Sequence, residues 1–235
     1  MPPTRVAVIT GIGKPGQAGE VIARTLAERG ARIVAVGRTR DEVDARVADL
    51  HAAGHEALGF ACDLTDEVQV AQLASDVTST VGTRVDTLVN VAGGFAMSGP
   101  VGESTLATWH TQFAINATTA YLATRAFLPS LRAANGAIVY FAAAAVLPGA
   151  KLIAMSAYGA AKSAVVALMR AVAEEERANG VRANAIAPTA IRTAANMASM
   201  GDKVRYVERE DVATIVAWLC SDAARAITGQ LIRLG

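Results

Sequence analysis

Short β-branched runs alternate with helix-forming stretches along the whole 235-residue chain, and that alternation leaves few folds open. Arg5–Thr10 (RVAVIT), Arg32–Val36 (RIVAV), Ala57–Ala61, Asp86–Val91 (DTLVNV), Ala137–Phe141 (AIVYF), Val181–Ala187 and Gln230–Leu234 read as strands. Between them the residue pattern predicts helices over Glu20–Arg29, Asp41–Ala53, Asp66–Val81, Leu106–Leu131, Tyr158–Asn179 and Asp211–Ser221. Gly30, Gly54 and Gly180 stand where three of these helices should stop. Apolar runs joined through helices need a parallel sheet covered on both faces, with right-handed crossovers. The expected fold is therefore α/β: a Rossmann-type doubly wound parallel sheet of about seven strands with helices on both faces. No linker or low-complexity stretch divides it, so residues 1–235 are expected to form a single domain.

Composition removes several classes of function. Lys and Arg total 22 against 21 Asp and Glu, a net charge of +1, which gives no electrostatic drive toward nucleic acid. Two cysteines, Cys62 and Cys220, cannot build a disulfide framework or a zinc cluster. His51 and His55 lack a third ligand, so no metal is expected. The longest apolar stretch, near Gly136 to Ala150, is broken by Pro148 and Gly149, so no membrane span is expected. The N-terminus lacks a signal-peptide layout, and the expectation is a cytoplasmic protein acting on a small molecule.

In an open parallel sheet, ligands bind beyond the carboxyl ends of the strands. After the first strand comes Thr10-Gly11-Ile12-Gly13-Lys14-Pro15-Gly16-Gln17-Ala18-Gly19. Glycines there permit close backbone approach to a phosphate, and the next helix offers free N–H groups. After the second strand the chain is basic: Arg38 can fork onto a 2′-phosphate where an acidic residue would instead hold ribose hydroxyls. Asp63-Leu64 follow the third strand, and Asn90-Val91-Ala92-Gly93-Gly94 follow the fourth. Tyr158 and Lys162, four residues apart, share a helix face after the fifth. An ammonium beside a phenol should lower the phenol's pKa and fit it for proton transfer.

Together these residues resemble the short-chain dehydrogenase/reductase family over nearly the whole chain. The resemblance rests on Thr10-Gly11, Asp63-Leu64, Asn90-x-Ala92-Gly93, Asn116, Tyr158-x-x-x-Lys162, Asn184-x-x-x-Pro188 and Thr228-Gly229. It implies an NAD(P)(H)-dependent oxidoreductase in which Asn116, Tyr158 and Lys162 are catalytic. Tyr158 would move the proton, and Lys162 would also hold the cofactor ribose. Gly11, Gly13, Gly16, Gln17, Gly19, Arg38, Asp63, Leu64, Asn90, Ala92, Gly93, Pro188, Ile191 and Thr193 would bind the cofactor. Arg38 favours NADP(H) over NAD(H). The resemblance also implies a homodimer or homotetramer.

The departures carry information too. Gln17 stands where the family has its middle glycine, in a loop two residues longer. The family's catalytic serine is expected just after the fifth strand, where this chain has Ala142–Ala145. Ser156 is the nearest candidate substitute. A missing serine and a short lid resemble the dihydropteridine reductase branch, whose acceptor is a conjugated C=N system. The same alanines leave open a second reading: a weakly active or non-enzymatic NADP(H)-binding sensor or scaffold.

Overall fold

The computed structural model describes residues 4–202 and 204–235. Its strands are β1 (Val6–Thr10), β2 (Arg32–Gly37), β3 (Ala57–Ala61), β4 (Thr87–Asn90), β5 (Ala137–Phe141), β6 (Arg182–Pro188), β7 (Ala190–Ile191), β8 (Tyr206–Val207) and β9 (Leu231–Leu234). The helices are α1 (Ala18–Glu28), α2 (Arg40–Ala52), α3 (Glu67–Val81), α4 (Leu106–Phe113), α5 (Thr119–Arg132), α6 (Ser156–Glu175), α7 (Ala194–Met200) and α8 (Arg209–Leu219). Seven strands form one sheet in the order β3-β2-β1-β4-β5-β6-β9, and every neighbouring pair is parallel. The expected doubly wound sheet is what the chain forms.

Strand residues alternate between two cores, as the two-residue period of a strand requires. Val6 and Val8 of β1 join the side chains of α3, α5 and α6 on one face. Ala7 and Ile9 join α1, α2 and α8 on the other. Both faces are covered, so the runs are apolar throughout rather than alternating with polar residues. Each fully buried Val, Ile or Leu contributes about 1.5–3 kcal/mol.

Three helix starts are fixed by side chains. Asp66 accepts the N–H groups of Val68 and Gln69 at α3, Thr105 that of Thr108 at α4, and Thr193 that of Asn196 at α7. Three helix starts lie two residues ahead of the sequence expectation: α1 begins at Ala18, α6 at Ser156 and α8 at Arg209. The helix expected over Leu106–Leu131 is not uniform, because a π-helical turn at Ala114–Thr118 separates α4 from α5. The lid elements β7, α7 and β8 have no counterpart in the sequence expectation.

β1 pairs with β2 on one side and β4 on the other, and the chain reverses its direction of winding between them. Loops diverge at the carboxyl end of that pair and open a crevice. Among the described residues, no helix is long and apolar enough to cross a membrane.

Candidate active site

The crevice begins with the β1–α1 loop. Gly11 has φ +75°, and a Cβ there would sit 2.7 Å from the Ala92 nitrogen. A Cβ on Gly19 would sit 2.9 Å from the Gly11 carbonyl oxygen. Only glycine lets this loop lie against the β4 end and against α1 at once. Ile12 N–H donates to the Val36 carbonyl at 3.0 Å, which ties the loop to β2. At the apex, Gly16 has φ +76° and donates its N–H to the Glu20 carboxylate at 2.6 Å.

A cleft of about 430 Å³ lies over these glycines. Gly11, Gly13, Lys14 and Gln17 form its floor, and Ala92 and Gly93 one wall. Arg38, Asp63 and Leu64 line its far end. Arg38 is exposed, and no hydrogen bond or ion pair holds it among the described residues. Arg40, two residues on, is instead held by Asp44 at 3.2 Å and the Gly59 carbonyl at 3.0 Å. Asp63 accepts the Thr65 hydroxyl at 2.7 Å and the Thr65 N–H at 2.9 Å. Those two bonds hold its carboxyl below the usual aspartate range, with Arg38 a lesser influence.

Gly93 also lines a second cavity, of about 270 Å³, so the two spaces meet there. Tyr158 and Lys162 stand on its α6 wall, with Pro188 and Ile191 opposite. The Phe95 ring meets Tyr158 edge-on, with centroids 5.0 Å apart. Lys162 is buried and donates to the Phe141 carbonyl at 2.7 Å. Its Nζ lies 6.0 Å from the Tyr158 ring centroid. The expected downward tuning of the phenol is not what this arrangement gives. Burial pushes Tyr158 up to about 12, and burial pushes Lys162 down to about 8. Desolvation of each charged form outweighs the attraction between phenolate and ammonium.

Asn116 is buried in the π-helical turn and stands behind Gly93. Its amide donates to the Gly94 carbonyl at 2.9 Å and to the Gln112 carbonyl at 3.0 Å, and its Oδ1 accepts the Gly94 N–H at 3.1 Å. A Cβ on Gly93 would lie 2.6 Å from that Oδ1. Asn116 therefore clamps the segment shared by the two cavities, rather than lining either.

Other expected site residues face elsewhere. Asn90 turns its amide to Thr124 at 3.3 Å, and its buried Oδ1 has no partner among the described residues. Thr193 spends its hydroxyl capping α7, while Gly16 and Gly19 shape the loop without lining the cleft. Ser156 does not substitute at the cavity wall: its hydroxyl shares a hydrogen bond with Ser98 at 3.2 Å. Ala142, Ala143 and Ala145 line the cavity with methyl groups. Glu42 in the cleft and Thr189, Asn196 and Met200 in the cavity are additions to the expected set. The lid residues among them were marked only by an unassigned stretch after Pro188.

A parallel doubly wound sheet with a glycine-floored cleft at its reversal point defines a Rossmann-type nucleotide-binding protein. Residues 11–234 match the family described as Enoyl-(Acyl carrier protein) reductase. The cis-4-hydroxycyclohexanecarboxylate dehydrogenase of Sinomonas cyclohexanicum is 35% identical, over 97% of this chain and 94% of the relative. The D-threitol dehydrogenase of Mycolicibacterium smegmatis is 34% identical, over 96% of this chain and 89% of its own. A short-chain type dehydrogenase/reductase structure from Mycobacterium ulcerans superposes with a TM-score of 0.89 at 29% identity, covering 98% of this chain and 88% of that one. The actinorhodin polyketide ketoreductase with NADPH gives 0.88 at 27% identity, over 98% and 95%. The chain belongs to the short-chain dehydrogenase/reductase family of NAD(P)(H)-dependent oxidoreductases.

Proposed function

We propose that residues 1–235 work as one NADP(H)-preferring unit that reduces a small carbonyl or conjugated C=N compound. The observation that carries this reading is the meeting of two spaces at Gly93: a glycine-floored cleft, and a cavity walled by Tyr158 and Lys162. The cleft fits a dinucleotide, because Gly11, Gly13 and Gly93 line it and leave its floor open to close approach by a phosphate. A nicotinamide cofactor held there supplies hydride.

Gly11, Gly13, Gln17, Ala92 and Gly93 would hold it, with Asp63 and Leu64 at the adenine end. Arg38 is free to fork onto a 2′-phosphate. Pro188 and Ile191 bound the cavity opposite Tyr158. A phenol pushed up to about 12 holds its proton at neutral pH. It is therefore a proton donor to the reduced oxygen or nitrogen. Lys162 would hold the ribose, and Asn116 fixes the Gly93-Gly94 segment between the two spaces.

The alanine wall offers the reacting atom no hydroxyl, which favours an acceptor needing little oxyanion support, such as the C=N of a quinonoid dihydropterin. The same wall favours the second reading, a cofactor-binding sensor or scaffold.

NADPH consumption assayed against ketones and a quinonoid dihydropterin separates the two. Turnover of at least one is expected, with kcat lowered about 100-fold or more in Tyr158→Phe and cofactor affinity unchanged. Tyr158→Phe turning over as fast as the wild type would sink the mechanism. Tight NADPH binding with no turnover across the panel would favour the sensor.

A further inference from the structure

Arg209 is the first residue of α8, an 11-residue helix. The positive end of a helix dipole disfavours a cation there, and Glu210 and Asp211 follow the rule that Arg209 breaks. Its side chain is 29% exposed, and its closest carboxylate is Glu210, 3.9 Å away. Neighbouring acids are engaged elsewhere: Glu208 with Arg192 at 2.7 Å, and Glu20 with the Gly16 N–H at 2.6 Å. A half-buried guanidinium whose nearest carboxylate is 3.9 Å away is only weakly paired, and it keeps donors free for a further anion.

Its surroundings explain what it awaits. Nη1 lies 3.6 Å from the position a Cβ would take on Gly16, and the Ala194 methyl lies 3.7 Å from the same point. Gly16 is the positive-φ apex of the glycine-rich loop, and Ala195, beside Ala194, lines the cofactor cleft with Gln17. The cation thus stands where the loop, the α1 start and the lid converge.

We propose that Arg209, which stands beside the cleft rather than in its lining, is a phosphate-binding residue that reaches past Gly16 to the diphosphate of a dinucleotide. The inference rests on the dinucleotide reading above. Diphosphate is common to NAD(H) and NADP(H), so Arg209 raises affinity for both alike, whereas Arg38 acts on the 2′-phosphate alone.

Fluorescence titration of the intact protein with NADPH and NADH, with ADP-ribose and adenosine as displacing ligands, tests this. Arg209→Ala is expected to weaken NADPH, NADH and ADP-ribose about tenfold each, the size of a charge-assisted hydrogen bond. Adenosine affinity should not change, Arg209→Lys should recover part of the loss, and Tm should hold or rise because a misplaced helix cation is gone. Unchanged ADP-ribose affinity overturns the proposal. So does an equal loss for adenosine or a fall in Tm, which would make Arg209 a structural prop for the loop. If the wild-type protein binds no dinucleotide, the cofactor reading itself fails, and this inference with it.

Discussion

Lys162 shows what one buried charge does to the molecule's pH response. Burial lowers it from 10.5 to about 8. Between those values the unfolded chain carries the proton and the folded chain does not, so stability rises as pH climbs through that window. Below about pH 8 both states are protonated and the desolvation cost is present in full. The whole span is worth roughly 3 kcal/mol. Tyr158 acts oppositely: its folded form keeps a proton between 10 and about 12 that the unfolded form loses, so stability falls there. Urea midpoints at pH 7 and pH 10 for wild type and Lys162→Met isolate the lysine. The wild type should gain stability relative to the variant as pH rises; a constant difference would show that Lys162 titrates normally. Arg38 is the complementary surface case. Its guanidinium is unengaged among the described residues, and Glu42 lines the same cleft with its carboxylate 3.2 Å from the Cβ position of Gly13. Arg38→Asp is expected to reverse a preference for NADPH over NADH, weakening NADPH about tenfold or more by removing a charge-assisted pair. Equal wild-type affinities for the two cofactors would remove the argument.

At the scale of elements, one side chain closes the C-terminal end of α8. Arg182, at the start of β6, donates to the carbonyls of Leu219 at 2.7 Å, Ser221 at 3.2 Å and Ala224 at 3.1 Å. The Leu219 carbonyl is in the last turn of α8, where intrahelical partners run out and a cation suits the negative end of the dipole, while the Ser221 and Ala224 carbonyls also accept the Ala224 and Ile227 N–H groups. Arg182→Met should cost about 2–4 kcal/mol, read as a lowered urea midpoint with the m-value unchanged. A shift below 1 kcal/mol would mean that water replaces the guanidinium. Elements of this kind also mark where sequence reading stops. Strands were legible because Val6–Thr10 and Ala137–Phe141 are apolar on both faces, the pattern of a sheet covered twice. The cleft was legible because glycines such as Gly11 and Gly13, placed between the first strand and the first helix, permit close backbone approach to a phosphate. The π-helical turn was not: nothing in Ala-Ile-Asn-Ala-Thr announces that Asn116 will take up both polar groups of Gly94, 22 residues away. The short lid was foreseen by its length, but its elements were not, for a related reason. Its two-residue strands β7 and β8 are held by pairing with each other and by the Arg192–Glu208 contact, so no local period records them. The phenol's pKa went the wrong way in the sequence reading because burial is set by the packing of Phe95 and the cavity walls, not by the spacing of Tyr158 and Lys162.

For the whole molecule, the outer face of α3 and α5 carries exposed apolar side chains beside a groove. Val68 is 78% exposed and Tyr121 47%. Between them runs a groove of about 250 Å³ lined by Val70, Ala71, Ala74, Leu122 and Ala126, with the Glu67–Arg125 ion pair at 2.5 Å beside it. Small residues at Ala71, Ala74 and Ala126 allow another helix to approach closely, and exposed apolar side chains of this kind mark association sites. A second copy of this chain suits the groove because the two helices can pack against their own symmetry mates, each supplying and receiving the same contacts. We propose this face as the homodimer contact, with a homotetramer requiring a further surface. Ala126→Glu places a carboxylate in the groove, where pairing would desolvate it without a partner. Sedimentation equilibrium should then show wild-type protein at a multiple of the single-chain mass and Ala126→Glu at the single-chain mass. Its far-UV spectrum should match the wild type, since Ala126 is only partly buried, at the groove edge of the core. Wild type sedimenting as a monomer at micromolar concentration would refute the contact, as would an Ala126→Glu variant that remains associated.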